Sequence, residues 1–498
     1  MSLGRAGGLG PQGEAKSAEP QVPGVVQRWA WGKDLQDCLR NTPWLSYPGV
    51  LPLAQPGKDE RIPIVSAKRP FASAAQLEAM AAQYPTPFYL YDERGIRANA
   101  QRLVDAFAWN PGFREYFAVK ATPNPALIAI LRDYGFGLDC SSECELLLAE
   151  AMGIGGEDVM FSSNDTPDGE FEHALRLGAT INLDDLTHVD ALAVAARRVG
   201  QEMPRTVSLR FNPGGDFAFA NGIFGSPEEA KFGLTEPQVL QAARDLRDLG
   251  VEHLGLHALL ASNTLSNDYF PTLARTLFAL AVRVEREVGI DVSLVNLSGG
   301  VGIGYRPEDP DNDIDLIGQG VRRAFEEVLV PAGMGDVRMA CELGRFMMGP
   351  YGALVTRVIH TKDTYHHYLG VDACAANLMR PMLYGAYHHI TVMGKEDQPA
   401  DHTYDVVGML CENSDRLADD RALPQVQVGD LLFVHDTGAH GHSMGYNYNG
   451  RLRSAELLLR EDGSVDLIRR AETPADYFAT LDVLPVHDRL PKRKAGRP

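Results

Sequence analysis

The sequence predicts an α/β protein: a (β/α)8 barrel of the TIM type followed by an all-β domain. Three observations carry that prediction. From residue 86 to 348 short apolar runs alternate with longer amphipathic stretches. After about 349 the alternation gives way to β-type runs broken by Gly, Asp and Asn. Polar residues also recur where the early apolar runs end, at Lys120, Asp139, Asn164, Asn182, Asn212, Ser262, Gly299 and Glu342. A return to a parallel strand needs a crossover, usually a helix, and about eight such units over roughly 260 residues suit a closed barrel whose chemistry sits at the C-terminal strand ends.

In chain order, residues 1–24 are rich in Gly, Pro and Ala and read as a disordered leader. Residues 25–85 hold "VVQRWAW" and "IPIV" and read as an ordered segment that pattern alone does not place on a sheet. The alternation then begins with "PFYLYD" and "GIRANAQRLVDAFAW", and continues through "YFAVK", "GLDCSS", "VMFSSN", "TINLDD", "TVSLRFNP", "HLGLHALLAS", "SLVNLSGG" and "VRMACELGR". Residues 349–490 form the β domain, with "ALVTRVIHTKD", "HHITVMG", "YDVVGMLCENSD" and "GDLLFVHDTGAH" as its strands.

Composition narrows the function. A net charge of −19 over 498 residues argues against nucleic acid or an anionic membrane surface and favours a small molecule. Six cysteines are too few for a disulfide framework, and Cys140 and Cys144 have no second pair to complete a zinc site, so no metal is expected. With neither a secretory apolar region nor a run of about 18 apolar residues, the protein is expected in the cytoplasm.

Each motif admits two readings. Lys120 in "EYFAVKATPNP" is either a solvated rim residue or, ringed by apolar groups, an amine of lowered pKa that can condense with a carbonyl. Gly299, Gly300 and Gly302 in "NLSGGVGIGY" are a turn or a phosphate cradle. Glu342 and Arg345 in "CELGRF" are a local ion pair, or a carboxylate for a ring nitrogen beside a cation for an anion. Cys411 in "CENSD" is an inert strand cysteine or a reactive one, and Arg380 and Tyr384 in "RPMLYGAYH" are surface or site residues.

In order, from about residue 85 to 485, "YFAVKATPNP", "GLDCSSECELLLA", "KFGL", "NLSGGVGIGY", "ELGR", "RPMLYGAYH", "GMLCENSD", "DTGAHGHSMGYNYNGRLRSAE" and "LIRRAET" resemble the fold-type III pyridoxal-phosphate-dependent decarboxylases, diaminopimelate decarboxylase most of all. The resemblance implies an alanine-racemase-like barrel with pyridoxal 5'-phosphate attached through Lys120, and an N-terminal segment, residues 25–85, that partly joins the β domain. It implies Asp139, Ser262, Gly299, Gly300, Gly302, Glu342, Arg345 and His440 around the cofactor, with Glu342 at the pyridine nitrogen. Arg345, Arg380, Tyr384 and Glu412 match residues that read the distal end of the substrate, and Cys411 matches the proton donor. A homodimer with shared sites is implied, Cys411 and Glu412 reaching the other copy. The reaction implied is meso-2,6-diaminopimelate to L-lysine and CO2.

Departures from the family pattern cluster at the cofactor. "HALLASN" has Leu259 where an imidazole is expected to stack on the ring, and Ala261 for a glycine. His440 replaces a tyrosine, Leu343 a proline, Ser298 a glycine and Asn413 a serine. His440 and Ser298 could each reach the phosphate, His440 adding charge if protonated. These changes motivate two alternatives: a paralogous decarboxylase for D-ornithine, D-lysine or a secondary-metabolite amino acid, and a non-catalytic cofactor-binding homologue.

Overall fold

The computed structural model describes residues 68–215, 227–481 and 490. The expectations for residues 1–67 lie outside the described residues. Strand β1 (Phe88–Asp92) is followed by eight strands that close into a parallel barrel: β2 (Arg114–Ala118), β3 (Gly137–Cys140), β4 (Val159–Ser162), β5 (Thr180–Leu183), β6 (Thr206–Arg210), β7 (His253–His257), β8 (Asp291–Asn296) and β9 (Arg338–Cys341). Closure is made where Arg114 and Glu115 pair with Ala340 and Cys341. Tyr116, Met160, Leu294 and Ala340 form a small apolar cluster of their own on β2, β4, β8 and β9.

Two helices of the barrel wall show how an apolar stripe is buried. Helix Glu93–Phe107 buries Ile96, Ala100, Leu103 and Phe107, spaced for a single helical face. Helix Ile314–Val328 starts at Asp313, whose carboxylate accepts from the N–H groups of Asp315 and Leu316 at 3.0 and 3.3 Å, and it buries Ile314, Ile317, Val321, Ala324 and Phe325.

The β domain comprises β10 (Gly352–Asp363), β11 (His367–Val371), β12 (Ile390–Val392), β13 (His402–Val407), β14 (Arg416–Leu423), β15 (Leu431–Val434), β16 (Ala455–Leu459) and β17 (Val465–Arg469). Its sheet runs β14-β13-β11-β10-β1-β16-β17, with β15 pairing β10 and β12. One expectation is corrected here. "PFYLYD" is not a barrel strand: β1 lies antiparallel to β10 and parallel to β16, in the middle of the β-domain sheet. Phe88, Tyr89, Leu90 and Tyr91 are each at most 1% exposed, so both faces of the strand are covered. Burying such side chains stabilises the fold by about 1.5–3 kcal/mol each.

Upstream, helix Ala74–Gln83 packs Leu77 and Met80 against Phe88, Leu90, Phe433 and Leu457, so this part of the N-terminal segment joins the β domain. Lys68 is buried in an ion pair with Asp436 at 2.9 Å and donates to the carbonyl of Gly304, linking the N-terminal segment, the β domain and the barrel. No helix among the described residues is long and apolar enough to cross a membrane.

Candidate active site

Lys120 occupies a single turn of 3-10 helix, Val119–Ala121, directly after β2. That turn is anchored on the β domain. Ala121 O accepts from His440 N–H at 2.9 Å and Ser443 Oγ at 3.0 Å, Thr122 Oγ1 donates to Gly438 O at 2.6 Å, and Asn124 Nδ2 donates to the buried Glu456 at 3.0 Å. The Lys120 side chain is 49% exposed, while its partner Asp139, at 2.7 Å, is fully buried. The ammonium is therefore accessible at the barrel mouth.

Burial alone would lower the lysine's pKa, but the carboxylates of Asp139 and Glu342 outweigh it and the pKa is raised. An amine made neutral by apolar neighbours is thus corrected: its neighbours are acids contributed by other strands. Burial, reinforced by Glu342, pushes Asp139 up to about 7 against the pull of Lys120. Asp139 Oδ1 is buried without a hydrogen-bond partner.

Glu342 follows β9 and is held from three sides. Asn296 Nδ2 donates at 2.7 Å, Ser298 Oγ at 2.9 Å, and His257 Nε2 lies at 3.1 Å. Burial would raise its pKa, yet His257, Lys120 and Ser298 bring it down to about 2. Ser298 therefore serves the carboxylate and not a phosphate, and it does so with φ +54°, a conformation that favours glycine. Glu342 and Arg345 do not pair, because Arg345 turns to the Tyr305 hydroxyl.

The loops after β7 and β8 are bridged: Thr264 N–H donates to Gly300 O and Gly302 N–H to Thr264 O, both at 2.9 Å. A Cβ on Gly300 (φ +110°) would stand 2.7 Å from Ala261 O, and one on Gly302 would stand 2.6 Å from the Asn263 backbone. With its N–H spent on Thr264, Gly302 lets the loops meet and is not itself a donor to a phosphate. Ser262 stands on the first of these loops, half-buried. Leu259 is partly exposed, and its Cδ1 would lie 4.0 Å from a Cβ on Gly299. An apolar side chain thus stands beside Gly299 where an imidazole was expected.

Across the mouth, Arg345 and Arg380 share one aromatic ring. Their guanidinium carbons lie 5.8 and 4.7 Å from the Tyr305 centroid. Arg380 is 3% exposed, and its Nη1 donates to His388 Nε2 at 2.8 Å. Among the described residues neither arginine has a carboxylate within ion-pair distance; Asp436 is taken by Lys68. His440 is pushed well below its usual pKa by burial and by Arg345, Arg380 and Lys120, which favours the neutral imidazole over the protonated form. Tyr384 closes helix Arg380–Tyr384 and is 50% exposed.

Cys411 and Glu412 are exposed, on the loop between β13 and β14, where Cys411 N–H donates to Asn449 Oδ1 at 2.6 Å. Cys411 is thus not a strand residue, and no contact ties it to Lys120 or Glu342 among the described residues. Sequence reasoning missed His257, Asn296, Tyr305 and His388. His257 opens "HALLASN", Asn296 opens and Tyr305 closes "NLSGGVGIGY", and His388 closes "RPMLYGAYH", so all four stood inside quoted motifs.

The residues present fit pyridoxal phosphate: an accessible lysine amine, a carboxylate held ionised, an apolar flank and a cradle whose glycines leave no room for a Cβ. Comparison with known proteins agrees. The family pattern for "Pyridoxal-dependent decarboxylase, pyridoxal binding domain" matches residues 93–349. Protein TabA of Pseudomonas amygdali pv. tabaci is 40% identical over 82% of this chain and 94% of its own length. The diaminopimelate decarboxylase of Methanothermobacter thermautotrophicus is 36% identical over 81% and 93%. The crystal structure of M. jannaschii diaminopimelate decarboxylase with L-lysine superposes with TM-score 0.75 at 27% identity, covering 82% of this chain and 94% of that one. A closed barrel with this mouth, and relatives that match across both domains, make the chain a member of the diaminopimelate decarboxylase family, a pyridoxal-phosphate-dependent carboxy-lyase.

Proposed function

We propose that the protein converts meso-2,6-diaminopimelate to L-lysine and CO2. The observation that carries this reading is the pair of guanidiniums on Tyr305 with no carboxylate of the described chain to neutralise them. A buried cation without a counter-ion is costly, and a ligand carboxylate would remove that cost with paired hydrogen bonds. Diaminopimelate carries a second carboxylate at its distal end; lysine and ornithine do not.

Bound at Lys120, pyridoxal phosphate supplies the electron sink for the pair left behind when CO2 departs. The chain's own groups do the rest. Glu342, held ionised, keeps a proton on the pyridine nitrogen. Gly299, Gly300 and Ser262 hold the phosphate, with His440 offering a neutral hydrogen bond. Leu259 would flank the ring and keep water from it. Arg345 and Arg380 orient the distal carboxylate, with Tyr384 at the rim.

Cys411 and Glu412 serve a second copy of the chain, Cys411 giving the proton that takes the place of the lost carboxylate. Their exposure, away from the Lys120 cluster, supports a homodimer with shared sites. CO2 release measured across meso-diaminopimelate, D-ornithine, D-lysine and related amino acids tests the assignment. A clear preference for diaminopimelate is expected. A preference for another amino acid would favour the second reading, a paralogous decarboxylase, which the replacements at Leu259, His440 and Asn413 motivate.

A further inference from the structure

The sequence motif that brings Arg380 also brings His388, eight residues on and fully buried. Its ring is fixed from both sides. Nδ1 lies 2.9 Å from the carbonyl oxygen of His435, which can only accept, so Nδ1 carries the hydrogen. Nε2 is then a bare acceptor, and it takes a hydrogen from Arg380 Nη1 at 2.8 Å. The imidazole also meets the Tyr305 ring edge-on, centroids 5.1 Å apart at 77°.

The backbone beneath it is just as constrained. His388 precedes β12 and His435 follows β15, two strands paired from Ile390 and Val434 onward. His435 N–H donates to His389 O at 2.9 Å, and Arg421 Nη1 donates to His388 O at 2.6 Å. The sheet ladder therefore sets the imidazole, and the imidazole sets the guanidinium. The Tyr305 hydroxyl also meets Arg380, but it is shared with Arg345 and can rotate, so the imidazole is the acceptor of fixed direction. A protonated His388 would face Arg380 with like charge; burial first, and then Arg380, holds it well below the usual histidine range.

We infer that His388 is a positioning residue: as a neutral Nδ1–H tautomer it holds the Arg380 guanidinium over Tyr305 and so fixes where the site accepts a distal carboxylate. The inference deepens the proposed function and rests on it for the identity of the ligand, but not for the geometry. Leucine at 388 keeps much of the volume and removes both hydrogen bonds. Glutamine keeps an acceptor where Nε2 stands.

Two measurements on the holoenzyme test it. In H388L, the KM for meso-diaminopimelate should rise roughly ten- to hundredfold, as for loss of a hydrogen bond to a charged group, while kcat changes less than about threefold. H388Q should recover most of that loss. Inhibition by monocarboxylate amines such as D-lysine, which do not reach Arg380, should stay within about twofold. A crystal structure of H388L should show the Arg380 guanidinium displaced from the Tyr305 face. An undisplaced guanidinium overturns the inference, as does an equal loss for every ligand or a failure of H388Q to rescue. A displaced guanidinium with unchanged KM for diaminopimelate upholds the inference and overturns the substrate reading instead.

Discussion

The two sides of the barrel mouth treat charge in opposite ways. On the Lys120 side every charge has a partner: Lys120 with Asp139, and Glu342 with His257, Asn296 and Ser298. On the Tyr305 side, Arg345 and Arg380 have neutral partners, a phenol and an imidazole. The first arrangement is self-sufficient and is built to hold a cofactor in one state. The second is left positive and gains its missing charge only from a ligand.

Substitutions on each side sharpen this contrast, and they rank by expected effect. K120A should lower turnover by at least about 10³-fold, and borohydride should fix no cofactor on the protein, while sedimentation still reports the wild-type assembly. E342Q keeps the shape but removes the charge beneath the pyridine nitrogen, and kcat should fall about 10²- to 10³-fold, read in steady-state CO2 release. R380A acts on the other side: KM for meso-diaminopimelate should rise at least about thirtyfold, with a smaller effect on kcat. If R380A lowered kcat and left KM alone, the two sides would not divide the work as described.

Stability gives two finer tests. Folded Asp139 keeps its proton up to about pH 7, whereas an unfolded chain releases it in the ordinary carboxylate range. The folded state thus binds more protons between these values, and this group adds stability as pH falls from about 7 towards 4. In cofactor-free protein, D139N should remove that contribution, flattening the wild-type Tm profile by a few degrees over this window. S298G loses a hydrogen bond to a charged group, worth about 1.5–3 kcal/mol, and relieves about 1–2 kcal/mol of left-handed backbone strain. The two partly cancel, so denaturant unfolding should show a net loss of no more than about 2 kcal/mol.

How much of this the sequence disclosed depended on the kind of signal. Lys120, Glu342 and the glycine loop were legible because each occupies a strand end in a motif of specific chemistry. The closed barrel and the later β sheet were legible from the change in periodicity. β1 was misplaced because a short apolar run reads alike in whichever sheet buries it. The direction of the Lys120 shift was missed because Asp139 and Glu342 reach it from β3 and from the end of β9, and strand-to-strand neighbours leave no local trace. His388 and Tyr305 stood in plain view but act through other residues, and partners, unlike residue types, are set by tertiary structure.

The placement of β1 also bears on how the chain is made. During synthesis β1 leaves the ribosome early, but its neighbours β10 and β16 begin only at Gly352 and Ala455. At about 5–20 residues per second, a strand with two phenol rings, a phenyl ring and a leucine waits tens of seconds without its sheet. Such an unpaired apolar strand is a template for association with other nascent chains. The helix that follows it, Glu93–Phe107, buries Ile96, Leu103 and Phe107 in the same core cluster as Tyr89 and Tyr91, but it cannot supply the missing strand partners. The β domain is therefore discontinuous in sequence: a fragment ending with the barrel would carry β1 as an orphan, and one starting at Gly352 would lack the middle strand of its sheet.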